Sequence, residues 1–305
     1  MHQIDGWNTI NASDRLVCLA FFTFGRLGVP FFLFLSGYLL LSKHQCQNIS
    51  DIKIFIKKKW LPLLICWYIW ILLYNLLLVI YGWGDVSLKA IKHELLLKSF
   101  PPIPHLWFMP MIVKAYLLIP LFSFLICRFG KIAFLILLAA SFLSSFKYEF
   151  GCYTTYILVG YFWYLYKDRV NKLMCLAFLA SAIALFCYIV QVQFVDFMNG
   201  TVHKVWYTEH SIMLCTFLAF PCFKYFDEYK KSYIEEISMS SFAIYLMHFA
   251  CLFLVADHIK SLNLPVEIKC IGLFVSIFAM SYGIFKLASY NKYIAKYAFL
   301  SKPYN

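Results

Sequence analysis

The sequence predicts an all-α, polytopic transmembrane helical bundle, on three observations: an apolar excess, apolar runs of membrane-spanning length along the whole chain, and Lys and Arg gathered in alternate loops. Of 305 residues, 63% are hydrophobic and 14% charged, against ~45–50% apolar and ~25% charged in a soluble domain. Each run is roughly twenty residues, enough to cross a ~30 Å hydrocarbon core at 1.5 Å per helical residue. The runs are continuous rather than alternating, so helices, not barrel strands, satisfy the backbone in lipid.

Taken in order, the runs place spans at 17–41, 61–82, 105–127, 132–146, 152–166, 173–193, 208–223, 239–256 and 266–288. The spans at 132–146 and 152–166 are short and call for local thinning or polar flanks. Loops 42–60, 128–131, 167–172, 224–238 and 286–305 hold roughly twice as many Lys and Arg as segments 1–16, 83–104, 147–151, 194–207 and 257–269. The richer set is expected in the cytoplasm, with the C-terminus inside and the N-terminus outside. No loop is long enough to bury a core of its own, so residues 1–305 read as one integral membrane domain. Neither an internal repeat nor a matched pair of broken helices points to a transporter.

The net charge of +12 sits in short segments between apolar runs rather than in one patch, so topology accounts for it and no nucleic-acid partner is expected. Of eleven cysteines, Cys18, Cys66, Cys127, Cys175, Cys187, Cys215, Cys251 and Cys270 lie in or beside apolar runs. With no C-x-x-C pair and no His at ligand spacing they read as small apolar residues, and no metal is expected. Residues 1–13 are polar and carry no cleavable signal pattern.

An ionisable side chain at mid-bilayer costs at least ~2.5–3.5 kcal/mol, so such groups are functional candidates by default. Three segments carry them. In 26–38, Arg26, Pro30, Leu33 and Gly37 share one helix face. Arg26 reads either as a functional cation or as a side chain snorkelling to the outer headgroups, and Gly37 as a helix-packing residue. In 104–116, Trp107, Pro110 and Lys114 share a face with His105 at its outer mouth; the plainer reading makes Trp107 an interfacial anchor and His105 a solvated side chain. In 238–248, Ser238, Ser241, Tyr245 and His248 fall at spacings of 3, 4 and 3. That stacks two hydroxyls, a phenol and an imidazole on one stripe, running ~15 Å from the cytoplasmic rim to about mid-bilayer. A lone histidine in an apolar helix is usually a packing residue, whereas one that ends a polar stripe favours function.

These segments resemble the acyltransferase-3 family of multi-spanning membrane O-acyltransferases, which modify surface polysaccharides and related glycans. VPFFLFLSGYLL at 29–40, HLWFMPMIVKAYLLIP at 105–120, YILVGYFWY at 156–164 and SMSSFAIYLMH at 238–248 carry the resemblance, in that order across most of the chain. It implies about ten spans in the cytoplasmic (inner) membrane. It also implies acetyl-CoA or another acyl-CoA as donor substrate, no permanently bound cofactor, and a hydroxyl of a surface or lipid-linked glycan as acceptor. The family's most cited catalytic element is a histidine on the first helix with an arginine before it. The sequence departs there, because only Met1-His2-Gln3 stands before the outer polar segment. His2 falls where that histidine is expected, which implies coding sequence for a further span upstream of Met1.

By resemblance His2 is the base; on the residues alone His248 is. Arg26 and Lys114 are then expected to stabilise an oxyanion or the donor's phosphates, and His105 to join the catalytic group. Ser238, Ser241, Tyr245 and Trp107 are the candidates for donor binding. Lys53, Lys57, Lys58 and Lys59 face the cytoplasm and either attract CoA or simply obey the positive-inside bias. Two alternatives stay open: a transporter, flippase or export component for a polysaccharide, and an inactive truncated fragment. Acceptor sugar, acyl chain, side of transfer and oligomeric state are left open.

Overall fold

The computed structural model describes residues 12–81, 88–97, 104–201, 205–226 and 232–302. His2 lies outside them. The helices in chain order are α1 (Ala12–Arg26), α2 (Gly28–Lys43), α3 (Ile49–Phe55), α4 (Leu61–Tyr81), α5 (Leu88–Leu95), α6 (Phe108–Ser145), α7 (Glu149–Tyr166), α8 (Lys172–Met198), α9 (His210–Ala219), α10 (Phe223–Phe226), α11 (Ser232–Ser261) and α12 (Val266–Ser289). Among the described residues the fold is all-helical. Six helical stretches are long and apolar enough to cross a membrane: 14–43, 49–81, 105–145, 172–198, 239–261 and 266–289. Large apolar side chains such as Leu72, Leu76, Val79 and Ile80 on α4 lie exposed, a pattern that lipid rather than water covers.

Three departures from the expected spans have local causes. The first predicted span is two helices, because Pro30 has no N–H to give the Arg26 carbonyl; Leu27 instead bonds back to Phe24 at 3.1 Å in a tighter turn. The fourth helix is preceded without a loop by a π-helical turn, Ile56–Trp60, where the Leu61 N–H reaches the Ile56 carbonyl. Pro62 follows and leaves the Lys58 carbonyl without its usual donor. The spans expected at 105–127 and 132–146 are the two helical arms of α6, parted by a single-residue break rather than by a loop. Gly130, at φ 65° and ψ −145°, interrupts it between the two.

The chain divides into two compact units: residues 1–52 with 118–229, and residues 53–117 with 230–305. In the first, α2 packs along α7. A Cβ on Gly37 would collide with the Ile157 backbone, and one on Gly160 with the Phe34 backbone. Two glycines on facing helices thus let the backbones touch. In lipid, such close packing rather than water exclusion holds helices together. Phe34 fills the seam edge-on to Tyr156 at 5.3 Å. A second core of Leu27, Ala182, Ile189, Val205, Ile212 and Cys215 joins α8 and α9 to the start of α2.

In the second unit, α11 packs on α12, and Lys286 pairs with Glu236 at 3.2 Å while the Tyr282 hydroxyl donates to the same carboxylate. The chain after α12 turns back onto α4, where the Ala298 carbonyl, at the end of a π-helical turn, accepts the Trp70 indole N–H at 2.7 Å. Trp60 likewise donates to the Val113 carbonyl at 2.9 Å. Indole donors meeting backbone carbonyls find their acceptors where water is scarce, and at Ala298 the carbonyl is one that a helix end leaves open.

Candidate functional site

The second unit gathers a polar cluster from α4, α11 and the turn ahead of α6. Pro104 opens a 3-10 turn, Pro104–Trp107, which sets His105 just before the first residue of α6. His105 is 4% exposed, and its Nε2 lies 3.2 Å from the Leu246 carbonyl of α11. The Tyr74 hydroxyl donates to the same carbonyl at 2.7 Å. The Tyr245 hydroxyl returns a bond to the His105 carbonyl. His105 and Tyr245 therefore lock the turn and α11 reciprocally. The His105 ring stacks on Phe249 at 4.9 Å and meets Tyr74 edge-on at 5.2 Å.

His248 stands next to this lock, its ring centre 4.8 Å from that of His105 and perpendicular to it. Its Nδ1 bonds to the Tyr245 carbonyl one turn back. A carbonyl only accepts, so the proton sits on Nδ1 and the lone pair on Nε2. The same reasoning puts the His105 proton on Nε2, toward Leu246. His248 is half-buried rather than sealed. The arrangement holds a neutral imidazole in a set tautomer, with the lone pair on Nε2 as its basic site.

Arg26 belongs to the first unit. It is 6% exposed and stands within 4.3 Å of the Phe22 ring centre and 4.5 Å of those of Trp206 and Tyr207. Its Nε has no hydrogen-bond partner and it has no carboxylate partner among the described residues. Phe22 is one helical turn away, but Trp206 and Tyr207 come from the segment between α8 and α9. That segment is pinned at successive backbone groups: Val205 N–H donates to Gln193 Oε1 at 3.3 Å, Trp206 N–H to Glu209 Oε1 at 2.9 Å, and the Tyr207 carbonyl accepts from the Tyr156 hydroxyl at 2.6 Å. Gln193 in turn donates to Thr23 on α1 at 2.7 Å. The guanidinium is thus surrounded by ring faces, an attraction of ~2 kcal/mol or more when desolvated, and it also hydrogen-bonds the Tyr207 hydroxyl.

Of the remaining candidates, Trp107 is half-buried with its ring 6.0 Å from Phe108. Lys114 is exposed and makes no hydrogen bond or ion pair with a described residue, although Pro110, one turn before it, is buried. Ser241 is exposed, and the Ser238 side chain lies outside the described residues. The structure therefore brings together His105, Tyr245 and His248, with Tyr74 as an unforeseen fourth member. Tyr74 carried no sequence signal beyond being a polar tip in an apolar run. Glu94 was also missed: it is 1% exposed on α5 and accepts from Asn75 Nδ2 at 3.1 Å. Burial pushes its carboxyl up from the ordinary range, partly offset by that amide. Among the described residues no group of three His, Cys, Asp or Glu could hold a metal ion.

A cavity of about 590 Å³ opens in the first unit with almost wholly apolar walls from α2, α6, α7 and α9. His210, its one ionisable lining group, bonds Ser145 Oγ at 3.0 Å and stacks on Phe146 at 4.4 Å.

A family model described as an acyltransferase domain matches residues 1–287. No curated protein and no solved structure matches the chain.

Proposed function

The chain belongs to the acyltransferase-3 family and is a membrane acyltransferase, and from that membership we propose that it moves an acyl group, first of all acetyl, from cytoplasmic acyl-CoA to a hydroxyl of a surface or lipid-linked glycan. The observation that carries the proposal is His248, whose proton is held on Nδ1 by the Tyr245 carbonyl so that Nε2 is the base.

A sugar hydroxyl is too weak an acid to attack a thioester unaided. In the proposed step His248 Nε2 takes the hydroxyl proton as the oxygen adds to the thioester carbonyl. The tetrahedral oxyanion collapses by breaking the carbon–sulfur bond, and the proton on the imidazolium passes to the departing CoA thiolate. The ester and free CoA leave, and His248 is neutral again. His105 and Tyr245 act as positioning residues, since their bonds across to α11 and the turn fix the segment that carries His248. Lys114 is the cation proposed to steady negative charge on the intermediate or on the donor's phosphates. His2 retains the role of base that the family resemblance implies, as the alternative to His248.

The acetate content of surface glycan purified from a strain lacking the gene tests this reading. Unacylated glycan at normal abundance supports it. Glycan that is lost, or retained inside the cell with its acyl groups intact, overturns it in favour of export.

A further inference from the structure

In the first unit a second cavity, of about 290 Å³, lies where α2, α7 and the chain after α9 meet. Its walls combine four aromatic rings, Tyr38, Trp163, Phe220 and Phe223, with two ammonium groups, Lys167 and Lys224. This composition is unlike that of the larger apolar cavity. Trp163 is 6% exposed, and its Nε1–H finds no acceptor among the described residues. A buried donor left without an acceptor is costly in a folded protein unless a ligand or water completes it.

The charges are placed rather than loose. Lys224 Nζ donates to the Lys167 carbonyl at 2.7 Å and to the Val170 carbonyl at 3.1 Å, on the chain leaving α7. Lys167 Nζ sits 4.8 Å from the Tyr164 ring centre and has no carboxylate partner among the described residues. Tyr38 is braced edge-on by Tyr164 at 5.6 Å and by Phe220 at 6.0 Å. Both lysines belong to segments that the loop charges assign to the cytoplasm.

Flat apolar walls suit a nucleobase, which stacks on aromatic rings irrespective of its identity. Lysine ammonium groups suit phosphate. The volume is near the lower end of the ~300–1,000 Å³ usual for ligand sites, so it suits part of a large ligand rather than the whole. We propose that this cavity takes the adenosine-phosphate end of the acyl-CoA donor, with the base against the aromatic walls and phosphate oxygens on Lys167, Lys224 and the Trp163 N–H. The assignment rests on the reading of acyl-CoA as the donor.

The test uses the full chain in nanodiscs of zwitterionic lipid, with adenosine 3′,5′-bisphosphate as the probe in calorimetry. Lys167→Ala keeps the backbone carbonyl that anchors Lys224, and Trp163→Phe removes the N–H while keeping a ring. Binding is expected to weaken about tenfold or more in Lys167→Ala and several-fold in Trp163→Phe, with Lys131→Ala unchanged. Unaltered affinity in Lys167→Ala overturns the proposal. So does competition by inorganic phosphate as effective as the nucleotide, or loss of binding in anionic-lipid nanodiscs, which would make the occupant a bare anion or a lipid headgroup. If the wild type binds the bisphosphate but no acyl-CoA supports transfer, the donor reading falls and the acyl-CoA assignment with it, leaving the cavity as an adenosine-phosphate site. If acyl-CoA supports transfer and Lys167→Ala leaves its KM unmoved, the cavity assignment falls and the donor reading stands.

Discussion

In the second unit, Tyr74, His105, Tyr245 and His248 all bond to backbone carbonyls, whereas in the first unit Arg26 is held by three ring faces. The contrast follows from what each group has to do. A hydrogen bond to a carbonyl selects a tautomer and leaves the other ring nitrogen basic, so it suits a group that exchanges protons. Ring faces attract a cation without neutralising it, so they suit a charge that must stay. Helix packing differs too: α2 and α7 of the first unit close on backbone contact at Gly37 and Gly160, while indole and phenol bonds to carbonyls tie the second unit, a kind of bond that Tyr156 also gives the first.

Removing the proposed base should have the largest effect. His248→Ala is expected to lower acyl transfer by about 10²–10⁴-fold, measured on membrane vesicles supplied with acyl-CoA and glycan, with folding checked by size exclusion. Wild-type turnover in that variant would strip the second unit of its chemical role. Next is the glycine seam of the first unit. Gly37→Val should cost about 3 kcal/mol or more, because backbone rather than a flexible side chain stands in the way. Thermal unfolding in detergent should show it, and adding Gly160→Val should cost less than its single effect since both part the same seam.

Arg26→Lys keeps the charge and loses the planar stack, and a stability loss of about 1–2 kcal/mol is expected. A loss of activity with unchanged melting would instead mark Arg26 as a group that acts on substrate. The smallest effect concerns Glu94, whose carboxyl burial raises above its unfolded value. A raised acid favours the protonated folded state, so its contribution is greatest at low pH and fades as pH climbs through the folded value. Glu94→Gln keeps an acceptor for Asn75 and should flatten that part of the pH–stability curve, with the variant gaining on the wild type toward neutral pH. A curve of unchanged slope would mean that folding leaves the Glu94 carboxyl at its unfolded value.

Much of this was legible in the sequence. Long apolar runs announce their helices, and the spacing of Pro30, Leu33 and Gly37 foretold a buried face of α2, whereas Arg26, expected on the same helix face, is buried at the end of α1. The 3-4-3 spacing also placed Tyr245 and His248 on one stripe. What escaped were interactions whose second partner is backbone. The Leu246 carbonyl, which accepts from both Tyr74 and His105, carries no mark in a leucine's identity. Trp206 and Tyr207 sit in a connecting segment whose path depends on Gln193, Glu209 and Tyr156, so their place beside Arg26 is a long-range result. The Gly130 break inside α6 was expected as a loop, because Lys and Arg flank it and periodicity does not distinguish a one-residue interruption from a short connection.

The seam between α2 and α7 also sets a schedule. Gly37 and Ile157 are roughly 120 residues apart in the chain, which at ~5–20 residues per second separates their synthesis by on the order of ten seconds. Throughout that interval α2 sits in lipid with its small-residue face open and nothing to close on. The first unit reaches its final packing only once α7 has been inserted. A nascent chain stalled before residue 160 would expose a groove that any passing helix with a small residue can enter.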